Sequence, residues 1–263
     1  MNDSHYQNKT AVVTGAGGLI GSAIAKELHR LGANVILLGR DRAKLDAVGI
    51  GQAFSVDVLD AAGLREVAGK IGPVDFLINS AGGNQADATP TMNEYSPEDP
   101  RGFFDLNPDL MLDVIKINTL GTIIPCQVFG REMARRGRGA IVNFASMNSY
   151  QPLSRNLAYG VAKSGVVNFT QWLAGYLGSA GVRVNAIAPG FFVNERSRKI
   201  LMTEDGGLSA RGQSVMNHTP MKRFGEAQEL IGCLLWLLDD ERAGFVTGVT
   251  VPVDGGFLSV SGV

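Results

Sequence analysis

The chain passes from a short apolar run, Thr10-Ala-Val-Val-Thr14, straight into Gly15-Ala-Gly-Gly-Leu-Ile-Gly21 and then into a helical pattern that lasts through Leu31. Few folds accept that transition. An apolar run without polar alternation suits a strand covered on both faces. Gly32 suits the left-handed position that ends a helix. A second apolar strand, Asn34-Val-Ile-Leu-Leu38, leads to Gly39-Arg40-Asp41. A charged segment, Ala53-Phe-Ser-Val-Asp57, and a helix from Ala61 to Lys70 precede the strand Val74-Asp-Phe-Leu-Ile-Asn79. Repeated strand–helix alternation at this spacing predicts α/β architecture: a parallel, doubly wound sheet with right-handed crossovers.

An insert at 84–110 breaks the rhythm. Ser96-Pro-Glu-Asp-Pro-Arg-Gly102 is turn-rich, and six acids (Asp87, Glu94, Glu98, Asp99, Asp105, Asp109) face one base, Arg101. This reads as a surface loop, ordered in part by Tyr95, Phe103 and Phe104; it is either a solvated acidic flap or a specificity loop. Asp109 to Arg136 has a long helical pattern that holds Asn118 and is interrupted by Pro125. The run Ala140 to Ala145 is a strand ending on Ser146, and a helix carrying Tyr159 and Lys163 runs to about Gly178. Gly181 to Ala188 is a further strand, closed by Pro189-Gly190. In 191–224 six bases (Arg196, Arg198, Lys199, Arg211, Lys222, Arg223) less three acids (Glu195, Glu204, Asp205) leave +3, and the stretch reads as a lid. A helix from Glu226 to Asp239 and a strand Val249 to Val253 complete the chain. With no repeat and no linker, residues 1–263 read as a single domain.

Composition narrows function. A net charge of −1 argues against a nucleic-acid partner, and 45% hydrophobic residues can build a large core. Cys126 and Cys233 sit in apolar surroundings and read as buried thiols, with no disulfide or metal site indicated. The N-terminal residues lack a signal core, and no apolar run reaches the ~20 residues that span a bilayer, so no membrane partner and a cytoplasmic location are expected.

Three motifs carry chemistry. Gly15, Gly17, Gly18 and Gly21, with Leu19 and Ile20 among them, lie between a strand and a helix, where bare backbone and a helix N-terminus suit a dinucleotide pyrophosphate. No Gly-Lys-Ser/Thr follows, so this is not an ATPase phosphate loop. At the end of the second strand Gly39 stands where a ribose-binding acid is expected and Arg40 is next to it, which favours NADP(H) and leaves NAD(H) possible. Arg40 could instead pair with Asp41 as a surface charge. Asp57, with Val58 beside it, is a candidate for the adenine amino group or for a helix cap. Finally, Tyr159 and Lys163 share one helix face, so an ammonium can favour the phenolate, and Ser146 at a strand's carboxyl end can donate to a substrate oxygen.

These residues resemble the short-chain dehydrogenase/reductase family over nearly the whole chain, through Thr14-Gly15 to Gly21, Asp57, Asn79-Ser80-Ala81-Gly82, Asn118, Ser146, Tyr159-x-x-x-Lys163, Pro189-Gly190 and Val253-Asp-Gly-Gly256. The resemblance implies a Rossmann-type sheet of about seven strands with helices on both faces. It implies that Tyr159 is the general acid/base and that Ser146 orients the substrate oxygen. Lys163 would lower the Tyr pKa and hold the nicotinamide ribose, and Asn118 would keep a water in the proton relay. Asn79, Ala81 and Gly82 would shape the cofactor pocket, with Pro189, Gly190 and Phe192 beside the nicotinamide. A homotetramer through the helices 109–136 and 156–178 is also implied, with Phe169, Trp172 and Leu173 facing a partner or the core. Leu19 departs from the short-type glycine pattern and fits the spacing of longer, epimerase-containing relatives. Asn194 stands where many relatives carry a cofactor-contacting Thr.

Tyr95-Ser-Pro-Glu-Asp-Pro-Arg101, Ser146-Met-Asn148, Pro189-Gly-Phe-Phe192 and His218 to Glu226 further resemble a bacterial branch of D-mannonate oxidoreductase or fructuronate reductase type. A sugar acid or other polyol ketone is the expected substrate, with Asn84, Asn148, Gln151, Arg155, Asn194 and Arg196 as candidate contacts. Each of these also reads as an ordinary loop residue, and the acidic insert does not suit an anionic substrate. His218 reads as loop packing. A 3-oxoacyl reductase of lipid synthesis, or a non-catalytic NADP-binding scaffold or sensor, are the competing readings.

Overall fold

Alternate residues of each apolar run serve opposite faces of one sheet. Val13, Leu37, Ile78 and Val142 pack to one side, and Val12, Ile36, Leu77 and Ile141 to the other. Continuous hydrophobicity is therefore what this sheet requires, because both faces are covered. The computed structural model describes residues 3–193 and 195–260. Its seven strands are β1 (Thr10–Thr14), β2 (Asn34–Gly39), β3 (Gln52–Ser55), β4 (Phe76–Asn79), β5 (Gly139–Phe144), β6 (Val182–Pro189) and β7 (Thr250–Val253). They form one all-parallel sheet in the order β3-β2-β1-β4-β5-β6-β7.

The helices are α1 (Leu19–Arg30), α2 (Arg42–Asp46), α3 (Ala61–Ile71), α4 (Pro108–Ile115), α5 (Gly121–Arg136), α6 (Leu157–Leu177), α7 (Glu195–Leu201), α8 (Ala210–His218) and α9 (Ile231–Leu238). Helices α1 and α9 cover one face through Ile24, Leu28, Leu234 and Leu238. The other face is covered by α3, α5 and α6 through Leu64, Phe129, Met133 and Leu177. The chain winds outward from β1 to β3 and then, from β4, in the opposite direction. That reversal opens a crevice at the carboxyl ends of β1 and β4. Among the described residues no helix is long and apolar enough to cross a membrane.

Some local expectations need correction. The segment 53–57, read as charged, overlaps the edge strand β3 (Gln52–Ser55); that strand is short and half-exposed, so it lacks the apolar run that marks the others. Pro125 does not interrupt its helix. It is buried inside α5, and the irregularity lies upstream, where Lys116–Leu120 form a π turn. Asn118 donates to the Val114 carbonyl at 2.8 Å, and Thr122 donates to the Asn118 carbonyl at 2.8 Å, so side chains take up carbonyls in the widened turn. The aromatic residues of the insert do not order it: Tyr95, Phe103 and Phe104 are exposed and touch mainly edge-to-face. Arg101 does so, pairing with Asp87 and donating to the carbonyls of Thr89 and Ala86, while Asp99 accepts from Thr91, Met92 and Arg101.

A polar strut crosses the apolar layer between sheet and helices. Asn79 donates to Asn143 at 2.9 Å and to the Cys126 sulfur at 3.2 Å, and Asn143 donates to Thr170 of α6 at 3.0 Å. Both asparagines are buried. Burial pushes the Cys126 thiol up to about 12 against the smaller pull of the Asn79 bond, so it is an inert thiol. Replacing Asn143 leaves buried Asn79 with the Cys126 sulfur alone, while Thr170 keeps its bond to the Val166 carbonyl. Asn143→Ala is expected to cost about 2–3 kcal/mol in urea unfolding; a loss below about 0.5 kcal/mol would show that the strut contributes little to stability.

Candidate active site

The glycine turn is packed too closely for side chains. Gly15 has φ +65°, and a Cβ there would stand 2.8 Å from the Ala81 Cα; a Cβ on Gly21 would stand 2.4 Å from the Gly15 carbonyl oxygen. Gly18 caps α1 without a side-chain hydrogen bond, and the first turn holds no acid. The leading N–H groups of α1, from Leu19 to Gly21, are thus left by helix geometry for an anion at the crevice. The residues present fit a dinucleotide pyrophosphate.

Across the crevice, the segment after β4 is fastened to β1: Ser80 donates to the Thr14 carbonyl and Ala81 N–H to the Thr14 hydroxyl, at 2.5 and 3.2 Å. The Asn79 side chain turns into the polar strut, so only its backbone faces the cofactor side. Gly190 follows β6 and abuts Asp254, where a Cβ would come within 2.6 Å of backbone. Phe192 packs its ring on Gly225 and lines a separate depression, whereas Phe191 reaches the central cleft. At the adenosine end, Arg40 does not pair with Asp41, which caps α2 by accepting from Lys44 N–H. Arg40 instead lies 3.9 Å from Asp57 with its side chain 72% exposed. Asp57 accepts from Leu59 N–H within its own turn, and the cap of α3 is Asp60. Val58 is buried.

Tyr159 and Lys163 lie on one face of α6, and Ser146 stands just beyond β5. The Lys163 ammonium is 5.7 Å from the Tyr159 ring centroid and donates to the Phe144 carbonyl at 2.6 Å. Burial draws Lys163 down to about 8. The Tyr159 phenol, crowded by protein although the residue is open to the cleft along one edge, is raised by that desolvation, against which a hydrogen bond with Ser146 favours the phenolate. The expected lowering of the phenol by Lys163 does not appear: burial raises it, and the group that draws it down is Ser146. Ser146 accepts from Asn148 N–H at 3.2 Å, which leaves its own proton for the phenol or a ligand. Asn118 is fully buried, donates to the Gly83 carbonyl at 2.6 Å and accepts from Gly83 N–H at 3.1 Å. A Cβ on Gly82 would stand 2.5 Å from the Asn118 oxygen and 3.5 Å from the Lys163 nitrogen, so these three residues form one floor.

Above that floor opens a cleft of ≈ 510 Å³. Its first wall is the insert, through Asn84, Gln85 and Thr89; its second is the turn before α6, through Arg155 and Asn156; its third is α7 and α8, through Ser197, Ile200, Leu201 and Arg211. Of the expected substrate contacts, Asn84 and Arg155 line this cleft. Asn148 and Gln151 do not. Asn148 is buried and bonds Leu153 N–H and the Asn156 carbonyl, holding the loop in shape, and Gln151 lines a different depression beside Tyr150 and Pro252. Asn194 and the side chain of Arg196 lie outside the described residues. His218 bonds the Ser214 carbonyl and packs near Phe257, away from the cleft. Sequence reasoning did not single out Asn156, Thr89, Ser197 or Arg211, whose spacing carries no motif; the positive balance of 191–224 was the only signal pointing toward Arg211.

Comparison with known proteins agrees with this geometry. Residues 15–258 match the family model described as enoyl-(acyl carrier protein) reductase of the short-chain dehydrogenase type. The chain is 42% identical to the Bacillus subtilis (strain 168) protein named uncharacterized oxidoreductase UxuB, over 97% of this chain and 96% of that one. It is 32% identical to L-xylulose reductase of Bos taurus over 98% and 99% of the two chains. A crystal structure from Haemophilus influenzae, provisionally named as a D-mannonate oxidoreductase and holding NAD, superposes with a TM-score of 0.92 at 39% identity over 100% of each chain. With the crevice, the tyrosine–lysine helix and these matches together, the chain belongs to the short-chain dehydrogenase/reductase family of NAD(P)-dependent oxidoreductases.

Proposed function

We propose that the protein interconverts the ketone and secondary alcohol of a sugar-derived substrate, a sugar acid of fructuronate or mannonate type in particular. The observation that carries this reading is the convergence of Tyr159, Ser146, Lys163 and Asn118 at the floor of one cleft. A bound nicotinamide cofactor supplies the hydride equivalent that no side chain can. The chain's own groups handle the proton. The raised Tyr159 pKa keeps the phenol protonated at neutral pH, as a general acid facing a carbonyl oxygen must be. Ser146 donates to that same oxygen, and Lys163 supports the phenolate left after proton transfer. Asn118 fixes the Gly83 backbone and thereby the edge of the nicotinamide side.

Asn84, Thr89, Asn156, Arg155 and Arg211 give hydrogen-bonding groups on facing walls, which supports a polyhydroxylated substrate, while Phe191, Ile200 and Leu201 make part of the lining apolar. The relatives named L-xylulose reductase and D-mannonate oxidoreductase support the same class. NADP(H) is the proposed cofactor, because β2 ends in Gly39 without a carboxylate and the exposed Arg40 guanidinium is held only at 3.9 Å by Asp57. NAD(H) is the alternative, supported by the related crystal structure. The segment 191–224 acts as lid and the insert 84–110 as the facing wall, both within a single domain. Trp172 and Tyr176, stacked and exposed on α6, support a homotetramer built through the long helices.

Three measurements test these assignments. Tyr159→Phe is expected to keep cofactor affinity within about 2-fold and to lose at least ~100-fold in kcat; near-normal turnover would remove Tyr159 from the reaction. Ser146→Ala takes away a group that favours the phenolate, so the phenol pKa rises further. The pH at which alcohol oxidation reaches half its maximum should therefore move upward in that variant, and an unchanged or lower value would dissociate Ser146 from the phenol. Arg40→Ala should raise the NADP(H) KM by roughly 10- to 100-fold, the scale of a charge-assisted contact, and leave NAD(H) unaffected; equal KM values for NADP(H) in both proteins would assign Arg40 to the surface.

A further inference from the structure

We infer that Arg155 and Arg211 form a two-guanidinium clamp for a substrate carboxylate, completed by the lid helix α8. The inference rests on the oxidoreductase reading above and adds to it where the substrate's charge is held. Among the described residues, Arg155 and Arg211 are the only charged side chains lining the cleft that contains Tyr159. Each comes from a different wall.

Arginines elsewhere in this chain that are equally sheltered have acidic partners: Arg101 with Asp87, Arg136 with Asp75, and Arg183 with Asp240. Among the described residues, Arg155 and Arg211 have only neutral ones. Arg155 donates through Nε to the Pro90 carbonyl at 2.9 Å, which leaves both terminal nitrogens unengaged among the described residues. Arg211 donates to the Ser154 hydroxyl at 3.2 Å and to the Ser154 carbonyl at 3.4 Å, long contacts for a guanidinium. The two cations are close enough to feel each other: burial first, and then the charge of Arg155, draws Arg211 below its ordinary range. Two like charges sheltered together with no carboxylate among the described lining residues are an unfavourable arrangement that an anion would relieve.

The backbone points the same way. Arg155 has φ +68°, a left-handed conformation that non-glycine residues seldom adopt. It is held there by the Pro90 bond and by the adjacent Asn84–Asn156 side-chain bond of 2.8 Å. Backbone strain of this kind persists where the surroundings enforce it, and here it aims a fork of donors into the cleft. Paired forks match the two oxygens of a carboxylate. Tyr159 marks where the carbonyl reacts, and the clamp marks where the opposite end of the substrate is held. A keto acid would therefore be bound at both ends, and a neutral ketose at one.

D-fructuronate and D-fructose differ only by a carboxylate in place of a hydroxymethyl group, and they separate the possibilities. Arg211→Gln should lower kcat/KM for fructuronate by roughly 10- to 100-fold, mostly through KM, and change fructose by less than about 3-fold. Arg211→Lys should recover part of the loss, since it restores the charge without the fork. Equal losses on both substrates, or none on either, would overturn the clamp. Calorimetry with D-gluconate and its neutral counterpart sorbitol decides the point without turnover. The wild-type protein should bind gluconate more tightly than sorbitol and lose that preference in Arg211→Gln. Absence of the preference in the wild type rejects the clamp. Turnover of neither ketone alongside an intact gluconate preference rejects the sugar-ketone reading and leaves the clamp standing.

Discussion

One hydrogen bond, from the buried Lys163 ammonium to the Phe144 carbonyl at 2.6 Å, fixes how the site is assembled. It ties the middle of α6 to the carboxyl end of β5. Once that tie is made, Tyr159, a turn earlier on the helix, and Ser146, just beyond the strand, have to meet. The same burial has a chemical consequence. It draws the ammonium down to about 8 and pushes the phenol up, so that the two charged forms are harder to hold and easier to exchange. Titratable groups displaced in opposite senses by burial at the floor of a cleft suit the acid–base role proposed for them.

The floor is stiff because its parts brace one another from three elements. The π turn between α4 and α5 brings Asn118 against Gly83, where it both donates and accepts. Gly82 has no room for a side chain against Asn118 and Lys163, so contraction at this point is built into the residue choice. Beneath lies the strut from Asn79 through Asn143 to Thr170. Strand ends, helix faces and the root of the insert are thus locked to a common reference. Helices α7 and α8, the proposed lid, carry none of these bonds.

How much of this could be read from the residues depended on the range of the interaction. The sheet, its two-sided core and the glycine turn are local: continuous apolar runs and a missing Cβ leave marks within a few residues. The meeting of Ser146 with Tyr159 is visible because strand, loop and helix lie consecutively. Long-range pairings left no such mark. Nothing in the spacing says that Asn148 would turn inward to hold its own loop, or that Asn79 would face Asn143 and Cys126 instead of the cofactor side. The π turn has no mark of its own in the sequence: Asn118 is fixed by Gly83, distant along the chain, whereas Pro125 is a conspicuous but innocuous local signal. Edge strand β3 was passed over because a half-exposed edge carries no continuous apolar run.

The acidic insert shows why a charge count along the chain misleads where a charge map of the cleft does not. Read as a string, its carboxylates should repel an anionic substrate. Folded, Asp87 is matched by Arg101, and Asp99 is turned inward to accept from Thr91, Met92 and Arg101, which holds its carboxyl below the usual range. The insert residues that reach the cleft, Asn84, Gln85, Ala86 and Thr89, are all neutral. Direct repulsion is therefore kept off the cleft wall, and screening by solvent weakens what remains at longer range. The acids organise the loop and the loop positions Pro90, whose carbonyl holds Arg155. A segment with an excess of negative charge in this way ends by presenting a cation, and that local sign, set by geometry and not by composition, is what the cleft beside Tyr159 offers.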